Sequence, residues 1–201
     1  IAYALVRYSF PGKTVFDSLI HLPLVLPPVV TGYALLLLLG RNGPVGAWLE
    51  ATFGFVVAFR WTGAVIASAV MSLPLAVRAI RIAIEGVDAQ YEKAAATLGA
   101  GPWRTFFRVT IPLAAPGLVA GAILAFAKSL GEFGATITFA GNIPGETQTI
   151  PSAIYNYTQV PGADWYALRL SIVAAAISFC ALLASEVFVR AMRQRPLRTL
   201  T

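Results

Sequence analysis

The side chains with the clearest chemical potential here are a lysine and a glutamate inside an apolar run. Lys128 and Glu132 lie in the segment GLVAGAILAFAKSLGEFGATITFAGN. Four apart on a helix, they share a face and can pair. At a rise of ~1.5 Å per residue, Lys128 falls roughly 16 Å beyond Gly117, close to the middle of a bilayer. A charge there costs at least ~2.5 kcal/mol, so it must face a bundle interior or a watery cavity. Two roles fit. The pair can neutralise itself and lock helix packing, or its face can border the path of an anion, with Ser129, Thr136 and Thr138 as hydroxyl donors. Gly131 and Gly134 would let a neighbouring helix approach closely.

A second group of residues occupies the polar stretch EGVDAQYEKAAATLGAGPWRTFFRVTIPLAAP, from Glu85 to Pro116. Asp88 is placed to cap a short helix, Gly99 to end it in a left-handed turn, and Pro102 to follow the stop. Tyr91, Ala94, Ala95 and Leu98 fall on one face of that helix, small in the middle and bulky at the ends. Such a face suits close approach by another protein. A second helix opens at Pro102, with Trp103, Phe106 and Phe107 on one side and Arg104 and Arg108 on the other. That pattern suits a membrane surface. Periodicity alone describes an ordinary amphipathic connection equally well.

These residues need elements to position them, and composition says which. Of 201 residues, 58% are hydrophobic and 12% charged, about half the charged share of a soluble domain. Apolar runs near 19–39, 61–80, 117–140 and 168–189 each approach the ~20 residues a spanning helix needs. The expectation is an all-α, polytopic transmembrane bundle, residues 1–201 forming a single domain. Residues 1–6 read as the tail of an earlier span, in a chain incomplete at its N-terminus. Pro23, Pro27 and Pro28 should kink the first full span, and Pro74 the second. The run Phe53 to Phe59 is too short to cross. Residues 141–166 read as an outer loop, with a turn at Pro144-Gly145.

Basic residues orient the spans. Arg7, Lys13, Arg78, Arg81, Lys93, Arg104, Arg108, Arg190, Arg193, Arg195 and Arg198 fall on one side. Only Arg41 and Arg60 lie clearly on the other, with Arg169 at the membrane edge. The positive-inside rule puts the 85–116 loop and the C-terminus in the cytoplasm. That placement also argues against reading the net charge of +6 as a nucleic-acid surface.

Several chemistries are excluded. Gly12-Lys13-Thr14 hints at a phosphate loop, but a Walker A motif needs glycine where Arg7 stands, between a strand and a soluble helix. The lone histidine, His21, suits interfacial hydrogen bonding. The lone cysteine, Cys180, lies in an apolar run as a small buried hydrophobe. No metal-ligand cluster or paired catalytic groups suggest an enzyme. An ion-coupled secondary transporter using Lys128–Glu132 as a relay is a rival class, but it would want an inverted repeat, and none is visible.

Glu92-Lys93-Ala94-Ala95-Ala96-Thr97-Leu98-Gly99, followed by Ile111-Pro112-Leu113, resembles the "EAA" loop of binding-protein-dependent ABC importer permeases. The resemblance implies a permease bundle of the MetI-like type in a bacterial inner membrane. It also implies a coupling helix that docks into cytoplasmic ATPase subunits, with Asp88, Tyr91, Glu92, Ala94, Ala95, Leu98 and Gly99 in that element. No cofactor belongs to this chain on that view; ATP and Mg are held by the ATPase. A periplasmic or lipid-anchored binding protein supplies substrate. One such loop per chain, against two ATPase subunits, implies a homodimer. Residues 21–33 and 129–155 resemble the molybdate branch of the family, with tungstate, sulfate and thiosulfate as related oxyanion cargo.

Overall fold

Pro27 and Pro28 cut the first apolar run in two. In the computed structural model, which describes residues 1–193, α1 (Ala2–Arg7) is followed by α2 (Lys13–Val25) and α3 (Pro28–Leu39). The last two meet at 118°. Pro27 stands at the N-cap of α3 and Pro28 at its first turn, so both missing N–H groups fall where a helix begins and none is needed. The expected kinked span over 19–39 is therefore a sharp break. Pro23 stays inside α2, and Pro74 is buried within α5 (Trp61–Glu85), which runs helical through it.

The remaining elements are α4 (Pro44–Phe53), α6 (Ala89–Thr97), α7 (Pro102–Thr105), a π-helical turn (Phe106–Thr110), α8 (Ile111–Leu130), α9 (Gly134–Phe139), α10 (Ile150–Thr158) and α11 (Asp164–Arg193). Among the described residues no strand occurs. Three stretches of the described residues are long and apolar enough to cross a membrane: Trp61–Glu85, Pro102–Leu130 and Asp164–Ala191. The bent α2–α3 pair makes a fourth if it acts as one span. Arg195 and Arg198 of the basic tail lie outside the described residues.

The domain expected from sequence contains two compact units. The first takes in Ile1–Asp17, Leu75–Ala125 and the chain from Ala181. Here α5 and α8 touch through small residues. A methyl on Gly117 would overlap the Ala83 side chain, and one on Gly121 would come within 3.0 Å of the Ala79 Cβ. Gly117 and Gly121 form a small-xxx-small pair, the spacing that lets two helix backbones approach where lipid gives no hydrophobic drive.

The second unit, Ser18–Pro74 with Phe126–Cys180, is built around α9. Ala135, Thr136, Phe139 and Ala140 are all buried there, and Ala135 and Phe139 join Val57, Ala58, Ala67 and Met71 in the core. The crossing of α3 with α9 is tight. A Cβ on Gly32 would sit 2.7 Å from the Ala135 carbonyl oxygen, and one on Gly134 would sit 2.7 Å from the Pro28 Cβ. Gly131, expected to share this role, has no such neighbour.

Four further expectations change. The span predicted over 117–140 ends at Leu130, and α9 is a separate, protein-buried helix. Hydropathy alone cannot mark that break, because both sides are apolar. The run from Phe53 to Phe59 does not open a span: Phe53, Phe55 and Phe59 are exposed, and only its middle is buried. Gly54 ends α4 at φ +64°, and Val57 and Ala58 enter the core. Residues 141–166 contain α10, opened by a capping box of Thr149 and Ser152. Cys180, finally, is exposed. It lies on α11, whose apolar window buries none of its residues within this chain.

Candidate functional site

The polar 85–116 stretch folds from its own end signals. Asp88 has extended backbone angles, and its carboxylate accepts the Gln90 N–H at 2.8 Å. At the other end Gly99 takes φ +81°. Its N–H donates to Ala96 O, and the Ala100 N–H donates to Ala95 O, both at 3.0 Å. Together these bonds form a Schellman closure, satisfying carbonyls that a helix end would leave open. A Cβ on Gly99 would meet nothing within 4 Å. Within this chain, glycine is needed there for its backbone angle and not for space.

The nine residues of α6 and its C-cap, Leu98, present two different sides. Leu98 is 87% exposed and Tyr91 58%, with Ala94 exposed between them. Ala95, expected on the same face, is half-buried. Glu92 turns inward. Its side chain is 16% exposed, with one carboxylate oxygen 3.0 Å from Arg7 Nε. The other accepts a 2.6 Å hydrogen bond from Thr110 Oγ1. The Arg7 guanidinium also donates through Nη2 to Val87 O at 2.9 Å and to Ile84 O at 3.4 Å. Arg7 therefore lies at the same end of this unit as the polar loop.

After α6 the helix resumes at Pro102. The expected stripe of three rings divides: Trp103 and Phe107 are exposed and stacked, with centroids 6.3 Å apart. Phe106 packs edge-on against Tyr3 of α1 at 4.7 Å. Arg104 and Arg108 remain exposed. The π-helical turn that follows has a local cause. Pro112 brings no N–H, and its ring would crowd the carbonyl four residues back in a regular helix. The chain widens just before it, so that the Ile111 N–H reaches Phe106 O, five residues earlier. In that wider turn Thr110 is fully buried and bonds Glu92. The Ile-Pro pair downstream of the loop thus has a structural consequence for the helix upstream.

In the second unit Lys128 Nζ lies 2.9 Å from Glu132 Oε2. The pairing does not come from one helix face. Glu132 stands beyond the end of α8, in the break before α9. Its side chain is 2% exposed, and its second oxygen accepts the Ala135 N–H at 3.1 Å. Lys128 is 35% exposed on its side chain and is placed two residues before the end of α8, not in its middle. An ammonium has three N–H groups, so others remain to meet water or an anion. The neighbouring hydroxyls are engaged locally. Ser129 donates to Phe126 O, Thr136 to Glu132 O and Phe133 O, and Thr138 to Gly134 O. Their protons are therefore committed, contrary to the donor role expected of them, and Thr136 is also buried away from any ligand.

Sequence reasoning missed Arg7 and Thr110. Arg7 marks the end of an apolar segment, which signals a boundary but not a partner. Thr110 carries no local signal at all.

Residues 1–194 match the family described as binding-protein-dependent transport system inner membrane component. The chain is 59% identical, over 194 residues, to the molybdenum transport system permease protein ModB of Escherichia coli K12, covering 96% of this chain and 85% of that protein. It is 52% identical over 195 residues to the ModB of Haemophilus influenzae, covering 97% and 85%. Among solved structures, a chain of the MetNI methionine ABC transporter in inward-facing conformations superposes with a TM-score of 0.69. That match covers 95% of this chain and 83% of the other at 15% identity, which establishes a shared fold. On sequence and fold together, the chain belongs to the family of inner-membrane components of binding-protein-dependent transport systems.

Proposed function

We propose that this chain forms the translocation path of an ATP-driven importer of molybdate and is coupled to cytoplasmic ATPase subunits through α6. The observation that carries the cargo is the 59% identity, across nearly the whole chain, with a molybdenum transport permease. The coupling role is supported by the shape of α6. Its ends are fixed by Asp88 and Gly99, and Tyr91, Ala94 and Leu98 project from it. Tyr91 is an aromatic side chain of the kind interfaces bury at their centre, and Leu98 extends the same apolar face of an otherwise polar loop.

On this reading ATP and Mg sit in the ATPase subunits, and a substrate-loaded binding protein docks on the opposite side of the membrane. Each chain offers one docking helix, so two copies pair with two motors around a shared path. ATP-driven closure of the motors draws the two α6 helices together and opens the path outward. The binding protein then releases its dianion, and hydrolysis restores the inward-open state. Lys128 borders the path, with Ser129 and Thr138 beside it, while the buried Glu132 and Thr136 back it from the protein side. A lysine attracts a tetrahedral dianion, and its glutamate partner keeps that attraction from becoming a trap.

Reconstitution with the ATPase and binding protein tests the cargo. Molybdate-loaded binding protein should stimulate ATP hydrolysis, with tungstate close behind because it is a similar tetrahedral dianion. Stimulation by sulfate or thiosulfate, and not by molybdate, would contradict the assignment.

A further inference from the structure

We propose that Arg7 is a positioning residue for ATP coupling: it clamps the docking helix so that force on α6 reaches the rest of the first unit. The proposal rests on the reading of α6 as the motor-docking helix and adds how that helix is held.

Four parts of the chain converge on one guanidinium. Arg7 is the last residue of α1. It donates to Ile84 O and Val87 O, at the C-terminal end of α5. Its Nε pairs with Glu92 of α6, and through Glu92 it reaches Thr110 in the π-helical turn before α8. Tyr3, one turn earlier on α1, packs against Phe106 of that same turn. A cation at the C-terminal carbonyls of α5 also meets the negative end of its helix dipole.

The need for such a clamp follows from the connections. Gly86 precedes α6, and Gly99 and Gly101 follow it. A Cβ added at any of the three would meet no side chain within 4 Å. A nine-residue helix is too short to be stable alone, and between glycine linkers it would swivel when pushed. The Arg7–Glu92 pair, 19% and 16% exposed on its side chains, is sheltered enough that losing one partner leaves the other poorly satisfied. Glu92 therefore acts inward. It holds the helix in place, while Tyr91 and Leu98 meet the partner.

The test uses the full complex of permease, ATPase and binding protein in proteoliposomes, reading molybdate transported per ATP hydrolysed. Arg7→Gln should lower that ratio about tenfold, within the usual range of coupling energies. Arg7→Lys, which can keep one of the contacts, should fall between the two. Glu92→Gln preserves shape, removes the charge and should follow Arg7→Gln; it decides the matter if Arg7→Gln fails to insert. Arg81→Gln is the control. It breaks ion pairs with Asp17 and Glu85 in the same unit but leaves Arg7 and Glu92 untouched, so its ratio should stay within about twofold of wild type, as for other half-exposed pairs.

The same liposomes carry Leu98→Cys in a Cys180→Ser background. Cross-linking to the ATPase in the otherwise wild-type chain supports α6 as the docking helix. With that cross-link present, a wild-type ratio in Arg7→Gln and Glu92→Gln overturns the clamp alone, as does an equal loss in Arg81→Gln. Absence of the cross-link overturns the docking reading and the clamp with it.

Discussion

The carboxylate of Glu132 accepts the backbone N–H of Ala135 at 3.1 Å, so a side chain closes the start of α9. The same carboxylate holds the Lys128 ammonium. One buried acid thus joins the end of α8 to the helix at the centre of the second unit. Removing its two functions separately should give different results. Glu132→Gln keeps an acceptor for Ala135 and should insert with moderate loss of stability. Lys128→Ala leaves a buried carboxylate without its counter-charge and should cost ~3 kcal/mol. Thermal unfolding of the purified chain in detergent ranks the two, and a Lys128→Ala protein as stable as wild type would make the pair dispensable.

The contact of Gly117 with Ala83 gives a second prediction. A methyl at that position overlaps its neighbour, so Gly117→Ala must push α5 and α8 apart. The expected loss is ~1–3 kcal/mol, typical of overpacking a close contact. Gly101→Ala serves as the comparison, since nothing lies within 4 Å of a Cβ there and its φ is −67°. It should unfold at the wild-type temperature, and equal losses in both variants would count against close packing as the cause.

Gly99 separates backbone from space. Its φ of +81° disfavours every L side chain, yet no atom of this chain crowds it. Gly99→Ala should therefore cost ~1 kcal/mol through the turn alone. Gly99→Asp should add bulk and charge at the docking surface and uncouple transport from ATP hydrolysis while the protein still inserts. Normal coupled uptake by Gly99→Asp would remove the account of how this helix ends against its partner.

How much of this was legible in the sequence depends on the reach of each interaction. Asp88, Gly99 and Pro102 announce α6 and its neighbour because caps and stops act within a few residues. Pro27 and Pro28 announce a disturbance, though hydropathy ran on through them and suggested a bent span where the chain breaks. The break at Gly131 to Phe133 is concealed for a different reason. An apolar run reads the same whether lipid or protein buries it, and α9 is buried by protein. The pairing of Arg7 with Glu92 is out of reach of any local pattern, because it depends on α1 returning to the loop. The Gly117–Gly121 spacing was visible in the letters, but its partners Ala79 and Ala83 become evident only when α5 and α8 are seen together.

The source of energy separates an ATP-driven importer from its ion-coupled rival. In proteoliposomes containing this chain, its ATPase and its binding protein, molybdate should accumulate only with ATP, and vanadate should stop it. Molybdate uptake driven by an ion gradient, with the ATPase absent, would contradict it.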